Sequence, residues 1–237
     1  MSISDTAGVI RSICNVKKFL IKKGTAYFLN GLHLDYCCGG HDPIATAVRE
    51  KGLDVDKFLA ELNQAAERKA AQRDVHGDIE AFKTLAVTEM LDDLEATHHV
   101  TDRRLMAETE ELHNKILIVH YPHHGKMLTR HHLYAGLKAE LEEHFAKEEQ
   151  LVFPLMRQHP HPDSQTLALI HDLEAEHTGA GDVIKEIQAL TDNFTPPEDA
   201  CPTFRQTYVV MEQLFYDIFI HIFKENSIAF PEYAEQV

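Results

Sequence analysis

Apolar residues recur three and four positions apart over four long stretches of this 237-residue chain, and strand signals are nearly absent. This period places apolar side chains along one face of an α-helix. The stretches begin at Ile79, Leu133, Leu167 and Phe204. Turn-forming residues interrupt the pattern at 121–125, 159–164 and 195–199. Four long helices joined by three turns predict an all-α, up-down-up-down four-helix bundle.

The first third of the chain has a different pattern. In residues 1–62, short helical pieces are separated by glycine-containing breaks, and 63–78 is polar, alanine-rich and charged. Such a stretch has few candidates for a core and is typical of a connecting segment. We therefore predict a small helical domain over 1–62, a connector over 63–78 and the bundle over 79–237.

Composition excludes several classes of partner. Acidic residues number 38 against 23 basic ones, giving a net charge of −15, the opposite of a nucleic-acid binder. No apolar run approaches the roughly 18–20 residues that span a bilayer. Lysines and an arginine interrupt 9–29, which argues against a signal peptide or anchor. The four cysteines show no secreted disulfide framework, so we expect a cytoplasmic protein with no membrane partner.

A duplicated motif carries the candidate chemistry. The pattern His-x3-Glu-x4-Phe-Pro occurs twice, beginning at His144 and at His221. Positions i and i+4 lie on one helix face, about 5–6 Å apart at Cβ. Each copy therefore presents an imidazole beside a carboxylate, and the carboxylates are those of Glu148 and Glu225. This pairing suits one terminal and one bridging metal ligand.

The spacing of further histidines selects their partners. His99 precedes His144 by 45 residues, and His177 precedes His221 by 44. In an up-down bundle, such near-equal intervals place one histidine of each helix at the same level. A single His-x3-Glu pair is usually a surface pair, but two copies with matched upstream histidines favour a metal site. Imidazole and carboxylate ligands are compatible with two non-haem iron ions. The predicted ligands are His99, His144, Glu148, His177, His221 and Glu225.

A ferritin-like ligand set is the rival interpretation. Proteins of that type use Glu-x-x-His on two helices, and Glu95-x-x-His98 and Glu174-x-x-His177 match the pattern. Glu148 and Glu225 would complete that set. It would leave the duplicated His144 and His221 without a role, so we rank it lower.

Helix geometry also bears on two other histidines, His98 and His120. His98 adjoins His99, and neighbouring helical positions differ by only about 100°, so the choice between them stays open. His120 lies 21 residues beyond His99, or about 30 Å of continuous helix. We predict that His120 is a turn histidine and binds no metal.

Two acidic residues are candidates for an outer role at the predicted site. Glu140 lies four residues before His144, and Glu176 adjoins His177. Either could orient a ligand imidazole through its N–H group or hold Fe²⁺ on its way out. The alternative is that both are solvated surface acids.

Adjacent Cys37 and Cys38 form a second candidate site. Neighbouring cysteines do not easily close an unstrained disulfide. Gly39 and Gly40 allow a tight turn that leaves the sulfurs accessible. We predict a thiol or redox site, or soft-metal binding; the alternative is two small buried residues before a turn.

Together these features resemble the repair of iron centres family (ScdA-type proteins). The resemblance rests on the Asp-Tyr-Cys-Cys-Gly-Gly segment at 35–40, Glu176-His177 and both His-x3-Glu motifs with their Phe-Pro ends. It implies a short N-terminal domain, a hemerythrin-like bundle, and two iron ions with oxo and carboxylate bridges.

The resemblance also implies a function. Such proteins help to restore iron–sulfur clusters damaged by nitrosative or oxidative stress, through iron donation, nitric oxide handling, or both. The expected partners are damaged iron–sulfur proteins or a cluster assembly scaffold, and the small molecules NO and O2. A hemerythrin-like O2 or NO sensor without catalysis is the alternative. Enzymatic turnover and homodimer formation stay open.

Overall fold

The computed structural model describes Leu32 and residues 44–67, 75–122 and 124–236. The chain divides into two compact units, Met1–Leu85 and Ala86–Val237. Cys37 and Cys38 lie outside the described residues, so their predicted site stays a prediction.

The described part of the first unit is helical. Its helices are α1 Ile44–Glu50, α2 Val55–Glu67 and α3 Val75–Phe82. Gly52, between α1 and α2, has a φ of 70°, a left-handed conformation that glycine adopts without a steric penalty. Asp54 then caps α2, since its Oδ1 accepts a hydrogen bond from the Lys57 backbone N–H at 2.8 Å.

The second unit consists of four long helical segments, so the predicted all-α class is confirmed. Three of them contain a π-helical stretch. The first comprises α4 Val87–Leu94, π1 Glu95–His99 and α5 Val100–His120; the second α6 Lys126–Lys147, π2 Glu148–Val152 and α7 Phe153–Gln158; the third α8 Ser164–Leu190; the fourth α9 Pro202–Lys224, π3 Glu225–Ala229 and α10 Phe230–Ala234.

Short turns at the predicted breaks make consecutive helices antiparallel. Asp163 caps α8, because its Oδ1 accepts from the Thr166 backbone N–H at 2.7 Å. Cys201 caps α9 through a contact of 3.4 Å between its Sγ and the Phe204 N–H. None of the described helices is both long and apolar enough to cross a membrane.

The continuous helix pattern expected from Ile79 is interrupted. A turn separates Phe82, the end of α3, from Val87, the start of α4. Glu89 starts the new helix, since its Oε2 accepts from the Ala86 backbone N–H at 2.9 Å. The apolar period continues across this turn, which is why periodicity alone did not reveal it.

The π-helical stretches explain the Phe-Pro ends of the duplicated motif. The Phe153 N–H bonds to the Glu148 carbonyl, and the Phe230 N–H to the Glu225 carbonyl, each five residues back. The next residue is proline in both copies, and proline has no N–H to continue the regular helical ladder. Single π turns of this type are frequent at functional sites.

Core packing provides a first test. Leu214 on α9 is fully buried, whereas Leu167 at the start of α8 is 38% exposed. We expect Leu214→Ala to lower the free energy of unfolding by about 2–5 kcal/mol, because it leaves a cavity. Leu167→Ala should change it by less than about 1 kcal/mol. Denaturant unfolding followed by circular dichroism measures both, and equal losses would contradict this description of the core.

Candidate metal centre

The bundle brings the six predicted ligand residues together. His99 is the last residue of π1, while Glu148 and Glu225 are the first residues of π2 and π3. His144 and His221 lie in the last turns of α6 and α9, and His177 lies within α8. None of the six residues is more than 4% exposed.

The six residues form two overlapping groups. In each group, one nitrogen or oxygen atom of every member lies within 4.8 Å of the others. The first group adds His99 and His221 to the two glutamates, and the second adds His144 and His177. Both Glu148 and Glu225 therefore belong to both groups.

Each glutamate directs one oxygen toward each group. The four distances from a histidine Nε2 to the facing carboxylate oxygen are His99 to Glu148 Oε2, 3.2 Å; His144 to Glu148 Oε1, 3.1 Å; His221 to Glu225 Oε1, 3.3 Å; and His177 to Glu225 Oε2, 3.2 Å. Each of the two carboxylates thus faces the two groups with different oxygens, which is the arrangement expected of a bridging ligand.

These atoms fit a pair of bound cations. Both oxygens of Glu148 and Glu225, and Nε2 of His99 and His221, are buried and have no hydrogen-bond partner among the residues that the structure describes. Burying a carboxylate in this way costs several kcal/mol unless a cation compensates it. Ligands bonded at about 2.1 Å to one metal ion, at right angles, lie about 3 Å apart. The contacts of 3.1–3.3 Å match that separation.

Each of the four histidines donates its other ring N–H to a nearby oxygen acceptor. The Nδ1 contacts are His99 to Glu149 Oε1, 2.7 Å; His144 to Glu176 Oε2, 2.8 Å; His177 to Asn226 Oδ1, 2.8 Å; and His221 to Asp102 Oδ2, 3.3 Å. These acceptors select the tautomer in which Nε2 is free to bind a metal.

Of these four acceptors, only Glu176 was predicted from the sequence. Asp102, Glu149 and Asn226 were not. Glu176 was a candidate for orienting a ligand, and it contacts His144. Glu149 and Asn226 directly follow Glu148 and Glu225 in the two copies of the motif. This shared position could have identified them as partners of the ligand histidines.

Within the centre, charge interactions and burial shift the pKa values of the side chains in opposite directions. Burial alone would lower the pKa of His144, but the carboxylates of Glu148 and Glu225 outweigh it and raise that pKa to about 9. Burial likewise disfavours a charged Glu225, yet His221 and His177 hold the pKa of this carboxyl well below its usual range. The same carboxylates raise the pKa of His221. Without metal, protons on His144 and His221 would therefore offset the negative charge of the carboxylates, and metal binding must displace those protons.

The histidine left open beside His99 has another role. His98 is buried, and its Nδ1 donates to Asp217 Oδ2 at 2.8 Å. Its ring stacks on His221 with centroids 5.3 Å apart. His98 belongs to neither group of candidate ligands, so the position facing the glutamates is that of His99.

The remaining candidates lie away from the two groups. Glu95 contacts Arg157 at 3.2 Å, and Glu174 is a half-exposed side chain near His171, so the ferritin-like set does not assemble. His120 ends α5, and its Nε2 lies 3.2 Å from the Cys201 Sγ. That position agrees with the turn histidine predicted from helix rise.

A cavity of about 260 Å³ lies beside the centre and reaches His144, His177 and His221. Charged side chains along its lining include Glu140, Glu143, Lys147 and Glu176. Lys147 pairs with Glu176, the same residue that accepts from His144. Small molecules or ions can therefore approach the ligand atoms beside an acidic surface.

Comparison with known proteins agrees with this geometry. Residues 90–233 match a family profile described as the hemerythrin HHE cation binding domain. The chain belongs to this family. Hemerythrin HHE domains bind non-haem iron, and the His and Glu cluster could hold metal. Residues 22–66 match a second profile, ScdA_N, a domain of unknown function (DUF542).

Individual relatives match most of the chain. An iron-sulfur cluster repair protein YtfE from Enterobacter sp. (strain 638) is 34% identical over 198 residues, covering 84% of this chain and 86% of the relative. A protein of the same name from Escherichia coli O81 (strain ED1a) is 34% identical over 200 residues, with the same coverage.

The ligand set can be tested by matched histidine substitutions. We expect His144→Leu to lose most bound iron and to destabilise the bundle by about 3–5 kcal/mol, because Glu148 loses its neighbouring cation. His120→Leu should leave the iron content unchanged, since His120 lies at the far end of α5. Elemental analysis gives the iron content. Loss of iron from His120→Leu, with iron retained in His144→Leu, would contradict the predicted ligand set.

The acceptor of His99 gives a second test. Glu149→Ala removes the hydrogen bond that orients the imidazole, and we expect a 10–100-fold loss in iron affinity. Glu142→Ala is the matched control, because Glu142 also pairs with Arg103, at 3.2 Å, but has no contact with the ligand histidine. Competition with a chelator measures both affinities. If both variants lose iron affinity equally, the effect arises from the disturbed Arg103 and not from the lost hydrogen bond to His99.

Proposed function

We propose that this protein holds two non-haem iron ions in the centre and uses them to repair damaged iron–sulfur clusters. The main support is that two groups, each with two histidines, share Glu148 and Glu225, and each glutamate faces the two groups with different oxygens. Relatives named iron-sulfur cluster repair proteins, 34% identical over most of the chain, support the repair function.

The ligand count favours reactivity over simple storage. Each ion would receive two imidazoles and one oxygen from each glutamate, which is four protein ligands. Octahedral coordination has six positions, so positions would remain for a small molecule. The bound ions would supply Lewis-acid and redox chemistry toward molecules such as nitric oxide.

The chain's own residues prepare the centre for this role. Phe145 stacks on His99 with centroids 4.7 Å apart, and Phe230 lies parallel to His177 at 6.4 Å. These rings exclude water from two sides, which strengthens the interaction between the carboxylates and a cation. Glu176 and Asp102 keep their histidines oriented.

Iron can also be the cargo of the reaction. The cavity beside His144 and His177 is lined by Glu140, Glu143 and Glu176, which are carboxylates suited to a departing Fe²⁺. Donation of iron to a damaged client and removal of nitric oxide are the two routes that fit this site. The partners would be iron–sulfur proteins or a cluster assembly scaffold.

Cys37 and Cys38 are proposed as a thiol site that assists repair. They lie within the residues that match the ScdA_N profile. We expect Cys37→Ser with Cys38→Ser to leave the iron content intact and to reduce protection in a cellular nitrosative-stress assay. Unchanged protection would indicate that the two cysteines are small packing residues.

The repair function is tested with a client protein. Protein loaded with ⁵⁷Fe is incubated with an iron–sulfur enzyme damaged by nitric oxide, and enzyme activity, nitric oxide and client ⁵⁷Fe are followed. We expect activity to return with the wild type and not with His177→Leu, which removes a proposed ligand.

The isotope then separates the routes. Client activity that returns with ⁵⁷Fe in the cluster supports iron donation. Recovery without ⁵⁷Fe, as nitric oxide disappears, supports nitric oxide handling. No recovery, together with reversible binding of NO or O2, would overturn the repair proposal in favour of a sensor.

A further inference from the structure

A second cluster of buried polar side chains lies in the core of the bundle, away from the metal centre. It comprises Thr109 and His113 on α5, Arg130 on α6 and Tyr208 on α9, none more than 4% exposed. His113 is 14 residues beyond His99, or about 20 Å along the helix.

Arg130 is held by neutral groups. Its Nε donates to His113 Nε2 at 2.9 Å, and its Nη1 donates to the Tyr208 hydroxyl at 2.5 Å. The guanidinium also lies over the rings of Tyr208 and Phe204, at 5.0 and 5.4 Å from their centroids. Among the residues that the structure describes, no carboxylate forms an ion pair with it, unlike Arg103 and its partner Glu149.

The neighbours of Arg130 do not supply a negative charge. Burial raises the pKa of Tyr208 in spite of the nearby guanidinium, so the phenol stays protonated. Burial, together with the nearby charge of Arg130, lowers the pKa of His113 to about 3, so the imidazole stays neutral. Burial also lowers the pKa of Arg130, but from a value so high that the guanidinium keeps its charge. Within the described residues, the cluster therefore carries one positive charge that no carboxylate compensates.

Two nitrogen atoms of the cluster have no acceptor among the described residues. Arg130 Nη2 and His113 Nδ1 are both buried without a hydrogen-bond partner there. Because His113 Nε2 accepts from Arg130, the neutral ring carries its proton on Nδ1. Nη2 and Nδ1 are thus N–H donors, and what the cluster lacks is an acceptor with a negative charge.

We propose that this cluster is a binding site for one small monovalent inorganic anion of the size of chloride, held at Nη2 of Arg130. One guanidinium charge calls for one negative charge. The surrounding Phe204 and Tyr208 rings favour a small, weakly hydrated ion over a phosphate or sulfate. This site is independent of the iron centre and of the proposed repair function.

An anion in this position would affect the stability of the bundle. An isolated buried charge costs several kcal/mol, which a paired counter-ion offsets. A ligand that binds only the folded state raises the melting temperature with a saturable dependence on its concentration. The stability of the wild-type protein should therefore depend on the anion.

Thermal unfolding of the full-length, iron-loaded protein provides the test, with chloride replacing gluconate at constant ionic strength. We expect a saturable rise in Tm of about 3–6 °C at a chloride concentration ten times the dissociation constant. Arg130→Met, which has similar length and no charge, should lose the saturable rise. Its Tm in gluconate should equal or exceed that of the wild type, because the unpaired charge is gone.

Arg104→Met is the matched control, since Arg104 is an exposed arginine that pairs with Glu108 at 3.5 Å. It should keep the full chloride response. A Tm that rises equally in the wild type and in Arg130→Met would overturn the proposal, because the effect would then be a general salt effect.

Bromide gives a measurement that does not depend on any variant. Crystals of the wild-type protein grown with bromide should show an anomalous peak within hydrogen-bond distance of Arg130 Nη2. Data that show bromide elsewhere and none at Arg130 would also overturn the proposal, even if Arg130→Met fails to fold.

Discussion

The centre of the bundle depends on two carboxylates that are fully buried and have no hydrogen-bond partner in the described part of the chain. Glu148 and Glu225 lie between four helices, and each faces two imidazoles at 3.1–3.3 Å. Such a pair is stable only if cations compensate it. Protonated His144 and His221, whose pKa values are raised, can do so in the metal-free chain, and metal ions can replace those protons. The surrounding residues serve this exchange by fixing each imidazole through its Nδ1 atom.

The π-helical stretches link the local sequence to that arrangement. Glu148 and Glu225 each begin such a stretch, and the following residue contacts a histidine of another helix. Glu149 reaches His99, and Asn226 reaches His177. One short motif therefore supplies a carboxylate to the centre and an acceptor to a neighbouring helix. The proline that follows cannot support a regular helical bond, which favours the wider turn.

The core contains two polar regions of opposite charge. At one level, the carboxylates of Glu148 and Glu225 attract cations; about 20 Å away along α5, Arg130 lies among neutral partners and aromatic rings. Apolar layers separate the two regions, with Leu137 and Leu214 among their fully buried residues. In a low-dielectric core, a polar or charged group interacts strongly with a nearby charge. Each region is thus suited to a ligand of the opposite sign.

The sequence by itself determined the all-α class and the set of residues that meet at the centre, because helix rise is regular and converts the 44- and 45-residue intervals into a common level. It favoured His99 but did not exclude His98, since both positions face inward and only contacts with other helices distinguish them. Tertiary structure made that choice by pairing His98 with Asp217, 119 residues away. It also decided the acceptor of His221 and the partners of Arg130, because such contacts depend on how helices pack and no local period encodes them.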